Sequence, residues 1–151
     1  MDNKQLIEKF YSSFANGDAN GMISCYTDDI TFTDPAFDTL HGDDAKSMWR
    51  MLLQNKGVKV TFSNVSADDK TGSALWVAEY TFSRTGRKVI NRVSAQFEFR
   101  DGLIVKHTDS FDVWKWAGQA MGFAGWLLGW TPFMRNKIQQ QVRGLLAKFK
   151  G

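Results

Sequence analysis

Several kinds of chemistry are excluded by what this chain has little of. One cysteine, Cys25, stands among 151 residues, so there is no intrachain disulfide and no multi-thiolate metal centre. Cys25 falls between Met22 and Tyr26 in a helical pattern and reads as an inert core thiol. Two histidines, His41 and His107, are too few for an imidazole-built metal site; no metal and no cofactor is expected. Thr71-Gly72 and Arg84-Thr85-Gly86-Arg87 read as turns, not as a glycine loop that cradles phosphate. Repeats, low-complexity tracts and linkers are missing. Met1-Asp2-Asn3-Lys4 leads into no apolar run, so no secretory signal is expected and a cytoplasmic location is. The longest apolar stretch, 113–130, includes Lys115 and Gln119 and falls short of the roughly 20 residues that span a bilayer.

Acid is also missing from one end. Residues 1–112 carry 13 Lys/Arg against 16 Asp/Glu, whereas residues 113–151 carry Lys115, Arg135, Lys137, Arg143, Lys148 and Lys150 and no acid. A cationic extension on an acidic body suggests that the two parts meet different things. What is abundant is apolar and aromatic: 43% hydrophobic residues and 12 Phe, enough for one domain with a large aromatic core.

Leu6, Ile7, Phe10, Tyr11 and Phe14 recur at helical spacing and end at Asn16-Gly17. Asp18 is placed to cap a second helix carrying Met22, Ile23 and Tyr26. The strand Ile30-Thr31-Phe32-Thr33 follows, ending at Asp34-Pro35. After a loop from Phe37 to Gly42, a helix capped by Asp43 or Asp44 presents Met48, Trp49, Leu52 and Leu53. Four strand-like runs come next, Val58–Ser66, Ser73–Ser83, Lys88–Arg100 and Leu103–Val113. Arg84-Thr85-Gly86-Arg87 and Arg100-Asp101-Gly102 join three of them as hairpins. The order ααβαββββ predicts an α+β domain in which a curved antiparallel sheet wraps around the N-terminal helices.

Strand alternation predicts which side chains look inward. Ile30, Phe32 and Asp34 share a face, as do Trp76, Ala78, Tyr80 and Phe82. Val89, Asn91, Val93, Ala95, Phe97 and Phe99 form another, and Leu103, Val105, His107, Asp109 and Phe111 a fourth. A carboxylate on an apolar face is costly unless paired, hydrogen-bonded or protonated, so Asp34 and Asp109 read as the polar elements of a pocket, with His107 beside Asp109. In a dry cavity their pKa values should rise. A mainly apolar cavity with a few convergent polar groups suits a small hydrophobic molecule. Its expected lining is Tyr11, Phe14, Tyr26, Phe32, Trp49, Trp76, Tyr80, Asn91, Val93 and Ala95.

Ala15-Asn16-Gly17-Asp18, then Tyr26-Thr27-Asp28-Asp29-Ile30-Thr31-Phe32-Thr33-Asp34-Pro35, resembles the opening of the ketosteroid-isomerase/NTF2-like superfamily, and the likeness runs over residues 1–112. It implies a cone with a pocket at its open end. Asp34 matches the general base of ketosteroid isomerases. Their two oxyanion donors, a Tyr and a protonated Asp (the latter a known case of a neutral buried acid), correspond to Phe10 and Ala95 here. The last strand, Asp101 to Asp112, is similar to that of limonene-epoxide hydrolases and SnoaL-type polyketide cyclases, with Asp109 at their acid/base position. The Arg-x-Asp of the hydrolases is replaced by Trp76-Val77-Ala78. The resemblance thus implies acid–base chemistry of isomerase, cyclase or epoxide-hydrolase type by Asp34 and Asp109, with His107 auxiliary. A non-catalytic carrier using the same cavity is the alternative.

Residues 113–151 are expected to form a two-helix extension packed on domain 1–112. Gly118, Gly122, Gly125 and Gly129 make a side-chain-free stripe that asks for close backbone packing. Thr131-Pro132 starts a last helix with Met134, Ile138, Val142, Leu145, Leu146 and Phe149 on one side. Docking on the cone as a lid, a homodimer contact, and peripheral membrane contact through Trp114, Trp116, Trp126 and Trp130 all fit this pattern. A homodimer is the expected assembly; no nucleic-acid partner is.

Overall fold

A computed structural model describes residues 1–54, 57–82, 85–122 and 132–151. Helices α1 (Asn3–Ala15) and α2 (Ala19–Ile23) precede strands β1 (Tyr26–Asp34) and β2 (Asp38–His41). Helix α3 (Asp43–Leu52) leads to β3 (Lys59–Ala67), β4 (Thr71–Phe82), β5 (Arg87–Arg100) and β6 (Leu103–Ser110). Helices α4 (Val113–Met121) and α5 (Pro132–Lys150) follow. The α+β expectation holds, with one curved sheet in the order β2-β1-β6-β5-β4-β3.

Local chemistry sets most boundaries. Asp2 and Gln5 close a capping box on α1, which buries Leu6, Ile7, Phe10, Tyr11 and Phe14 against the sheet. Asp18 accepts from Gly21 N at the start of α2. Asp101 and Gly102 both take positive φ, 54° and 77°, the turn an Asp-Gly hairpin requires. Cys25 is buried, its thiol pushed up by burial.

Four expectations are corrected. The sheet is mixed: β1 lies parallel to β6, with Phe32 opposite His107, while every other pair is antiparallel. The expected loop after Pro35 contains β2. Asp34 accepts from Ala36 N and Phe37 N, folding the chain back so that Leu40 pairs with Phe32; with one buried residue in four, β2 has no readable alternation. Helix α3 is entered through Gly42 (φ 54°) without a side-chain cap, and Asp43 and Asp44 occupy its first turn, where they favour the helix dipole. In β6 the register slips, Glu98 facing Lys106 but Phe99 facing Ile104. Val105 is therefore an extra residue, and Ile104, not Leu103 or Val105, is the buried one.

Strand β6 ends at Ser110, and Asp112 caps α4 by accepting from Lys115 N. Gly122 takes φ 75° and ends α4, so Gly118 and Gly122 do not begin a continuous helical stripe. Gly125, Gly129, Trp126, Trp130, Thr131, Ser83, Arg84 and the side chain of Met134 lie outside the described residues. Helix α4 closes the β4–β5 end: Gln119 Oε1 accepts from Ile90 N, and Arg87 Nε donates to Gln119 O. Helix α5 is tied to the β1–β2 turn. Gln139 Nε2 donates to Pro35 O, and Arg143 donates to Phe37 O and Thr39 O. Lys150 pairs with Asp43 and Asp44.

The seating of α1 on the sheet depends on Gly72. A methyl there would sit 2.8 Å from Ile7 Cδ1, 3.0 Å from Phe99 Cζ and 3.0 Å from Ser66 O. Gly72→Ala should lower unfolding free energy by about 1–3 kcal/mol, the usual overpacking penalty, read as an earlier urea midpoint with an unchanged slope.

Candidate functional site

On β6, His107 and Asp109 sit two residues apart on one face, 0% and 4% exposed. Three side chains from three other elements serve them. Trp49 Nε1 on α3 donates to Tyr26 Oη at 2.9 Å. Tyr26 Oη lies 2.7 Å from His107 Nδ1, and His107 Nε2 lies 2.8 Å from Asp109 Oδ1. Trp76 Nε1 on β4 donates to the same Oδ1 at 3.3 Å.

The chain has one direction in which every proton is used. An indole nitrogen only donates, so Tyr26 Oη is the acceptor from Trp49 and sends its own proton to His107 Nδ1. Nδ1 is then unprotonated, the ring proton is on Nε2, and it points at Asp109 Oδ1. In this arrangement the His107 ring fixes the carboxylate through Nε2, and it is gripped by Phe97 at 4.5 Å, Phe32 at 5.0 Å and Phe10 at 5.4 Å between ring centres.

Asp34, at the end of β1, is held differently. Its Oδ1 takes the Ala36 and Phe37 amides at 3.0 and 2.6 Å. These donors pull its pKa down, but burial outweighs them and the Asp109 charge adds to it, raising the value from 3.8 to about 6. A two-donor turn does not keep this acid in the ordinary range because its surroundings are apolar.

Both carboxylates face one cavity of about 700 Å³. Of the expected lining, Phe14, Phe32, Trp49, Trp76, Tyr80, Asn91 and Val93 are on its wall. Tyr11, Tyr26, Ala95 and His107 are buried outside that wall, as is Phe10. They support it from behind, and Tyr11 Oη has no hydrogen-bond partner among the described residues. Sequence reading missed the contributions of α3 (Met48, Met51, Leu52), of Trp116 on α4, and of α5 (Val142, Leu145, Lys148, Phe149). The apolar spacing of α3 and α5 marked these faces as needing a partner, but periodicity does not say which one. Trp116 Nε1 donates to Tyr80 Oη at 2.7 Å, leaving the Tyr80 proton for another acceptor; burial raises the Tyr80 pKa, so the phenol stays protonated. Among the described residues no group of three or more His, Cys, Asp or Glu is arranged to hold a metal.

The model of the SnoaL-like domain matches residues 7–107. The chain belongs to the SnoaL-like family. Solved structures similar to it share its NTF2-like fold. A candidate polyketide cyclase from Xanthomonas campestris pv. campestris is 20% identical, with a TM-score of 0.63 over 78% of this chain and 98% of that one. An LEH-like epoxide hydrolase from M. tuberculosis is 21% identical, with a TM-score of 0.63 over 84% and 90%. An NTF2-like protein of unknown function from Burkholderia pseudomallei is 20% identical, with a TM-score of 0.62 over 74% and 92%. At these identities the likeness establishes the fold. No curated protein matches the sequence at a significant level.

Two measurements probe this site of the SnoaL-like chain. Because folding raises the Asp34 pKa, the native state binds that proton more tightly, so the contribution to stability is present below about pH 4 and lost as pH rises through about 6. Asp34→Asn, which keeps the Oδ1 acceptor, should therefore be stabilising by about 2 kcal/mol near neutrality and nearly neutral at about pH 4, by urea unfolding at both pH values. Tyr26→Phe removes the donor to Nδ1 and the acceptor of Trp49. It should cost about 1–3 kcal/mol by urea unfolding, and ¹⁵N NMR should show the Nε2–H tautomer of His107 dominating in the unaltered chain.

Proposed function

We propose that this SnoaL-like chain binds a small hydrophobic molecule in the cavity and performs acid–base chemistry on it with Asp34 and Asp109. The observation that carries the reading is two carboxylates in unlike surroundings on one aromatic wall. Asp34, with its pKa near 6, takes a proton at neutral pH and returns it, the tuning a proton shuttle needs. Asp109 is locked by His107 and Trp76, so it acts from a fixed position. The Tyr80 hydroxyl, which accepts from Trp116, and the Asn91 amide are on the same lining and can hold a polar group at the other end of the ligand.

Sheet register sets the length of the substrate. Asp109 is opposite Ala95 and Asn91 is opposite Ala78, four residues along β5 and roughly 13 Å at strand rise. An apolar molecule of that reach, with an epoxide or a C–H beside its own carbonyl at the carboxylate end and a second polar group at the other, fits the arrangement. Isomerisation, ring closure and epoxide opening are the reactions such a set performs, and the named activities of the polyketide-cyclase and epoxide-hydrolase neighbours support that range.

Phe10, Ala95 and Trp76-Val77-Ala78, standing where related enzymes place catalytic donors, favour a second reading: a carrier that uses the same cavity without turnover. Deuterium exchange separates the two. Cyclic ketones that raise the melting temperature are incubated with the protein in D₂O and weighed by mass spectrometry. Exchange that rises with pH through about 6 and falls at least about 100-fold in Asp34→Asn supports catalysis. Tight binding without exchange or turnover leaves the carrier.

A further inference from the structure

Six large apolar side chains are exposed among the described residues: Met1, Leu52, Leu75, Trp114, Leu145 and Phe149. Three of them, Leu52, Leu145 and Phe149, also line the cavity. Lining alone gives little exposure, since the wall residues Phe32, Trp49 and Trp76 are nearly covered. Exposures of 39%, 55% and 37% therefore place Leu52, Leu145 and Phe149 where the cavity meets solvent. Lys148, between Leu145 and Phe149 in sequence, is exposed and on the same lining. The mouth is thus an apolar rim with a cation set into it.

Apart from Leu52 on α3, the rim belongs to the part of the chain that has no acid. Residues 113–151 carry six Lys/Arg; Lys150 is paired with Asp43 and Asp44, whereas Arg143 is bonded to neutral carbonyls and keeps its charge. A second copy seated rim to rim would bring two such cationic segments together. An anionic lipid surface complements both the charge and the greasy residues. No helix among the described residues is long and apolar enough to cross a membrane, so attachment would be at the interface.

We infer that the cavity mouth docks on an anionic membrane surface, with Leu145, Phe149 and Leu52 entering the acyl boundary and Lys148 at the level of the phosphates. The cavity then opens toward the bilayer, and an apolar ligand passes between lipid and protein without crossing water. The inference rests on reading the cavity as a ligand site, but its test needs no ligand. A protein that floats yet exchanges no deuterium keeps the docking and loses the catalysis.

The test is flotation of the full chain with phosphatidylcholine vesicles containing about one-third phosphatidylserine, against pure phosphatidylcholine. The chain should float with the anionic vesicles and remain below with the neutral ones, and added salt should release it. Lys148→Gln should weaken binding about fivefold, the share of one cation near a charged surface. Leu145→Ser with Phe149→Ser should weaken it at least tenfold, while Leu75→Ser, exposed but away from the cavity, leaves it unchanged; circular dichroism verifies that each variant is folded. The inference is overturned if no protein floats with anionic vesicles, if both vesicle types bind alike, or if Leu75→Ser weakens binding as much as the rim pair. It is equally overturned if sedimentation shows a dimer that the rim pair dissociates and that does not bind vesicles.

Discussion

A carboxylate with almost no exposure, at the floor of an aromatic cone, is the constraint around which this SnoaL-like chain is built. Removing Asp109 from water costs several kcal/mol unless hydrogen bonds replace the lost solvation. His107 and Trp76 provide them, and His107 can do so only in the tautomer that Tyr26 and Trp49 impose. One charge therefore recruits side chains from β6, β4, β1 and α3. The parallel pairing of β1 with β6 follows from the same need, because it sets Phe32 opposite His107 and brings Tyr26 within reach of the ring.

The bulge at Val105 has its meaning in this context. Without the extra residue, regular alternation could not bury Ile104 and His107 on the same side of β6. The slip buries Ile104 beside Cys25, whose carbonyl accepts from Ile104 N, and still turns His107 and Asp109 inward. Small residues then create the cavity. Ala78 and Val93 occupy wall positions between Trp76, Tyr80 and Asn91, leaving a volume that larger side chains there would fill.

Much of this was legible because it is local. The helical spacing of Leu6 to Phe14, the Asp18 cap, the Asp-Gly turn and the alternation of β4 and β5 each depend on a few neighbouring residues. Asp34 and Asp109 were legible as carboxylates on apolar faces, a conflict visible in sequence. The pairings were less so. β1 meets β6 across more than seventy residues, β2 has one buried side chain, and a bulge changes parity without changing composition. For the same reason Tyr11, Tyr26 and Ala95 read as lining when they stand behind it: alternation gives the face a residue is on, not its depth. The wall supplied by α5 depends on a helix docking whose partner no periodicity specifies.

That docking bears directly on Asp34. The turn that holds its Oδ1 comprises Pro35, Ala36 and Phe37, and the carbonyls of Pro35 and Phe37 are held by Gln139 and Arg143 of α5. The same helix lends Val142, Leu145 and Phe149 to the apolar wall, and burial is the largest cause of the raised Asp34 pKa. Seating of α5 and the proton on Asp34 are therefore linked: a seated helix favours the protonated acid, and ionising the acid weakens the seat by the same free energy. Removing α5 from this seat would hydrate the carboxylate and favour its charged form. The extension thus bears on the protonation of Asp34 through the turn it holds and the water it excludes.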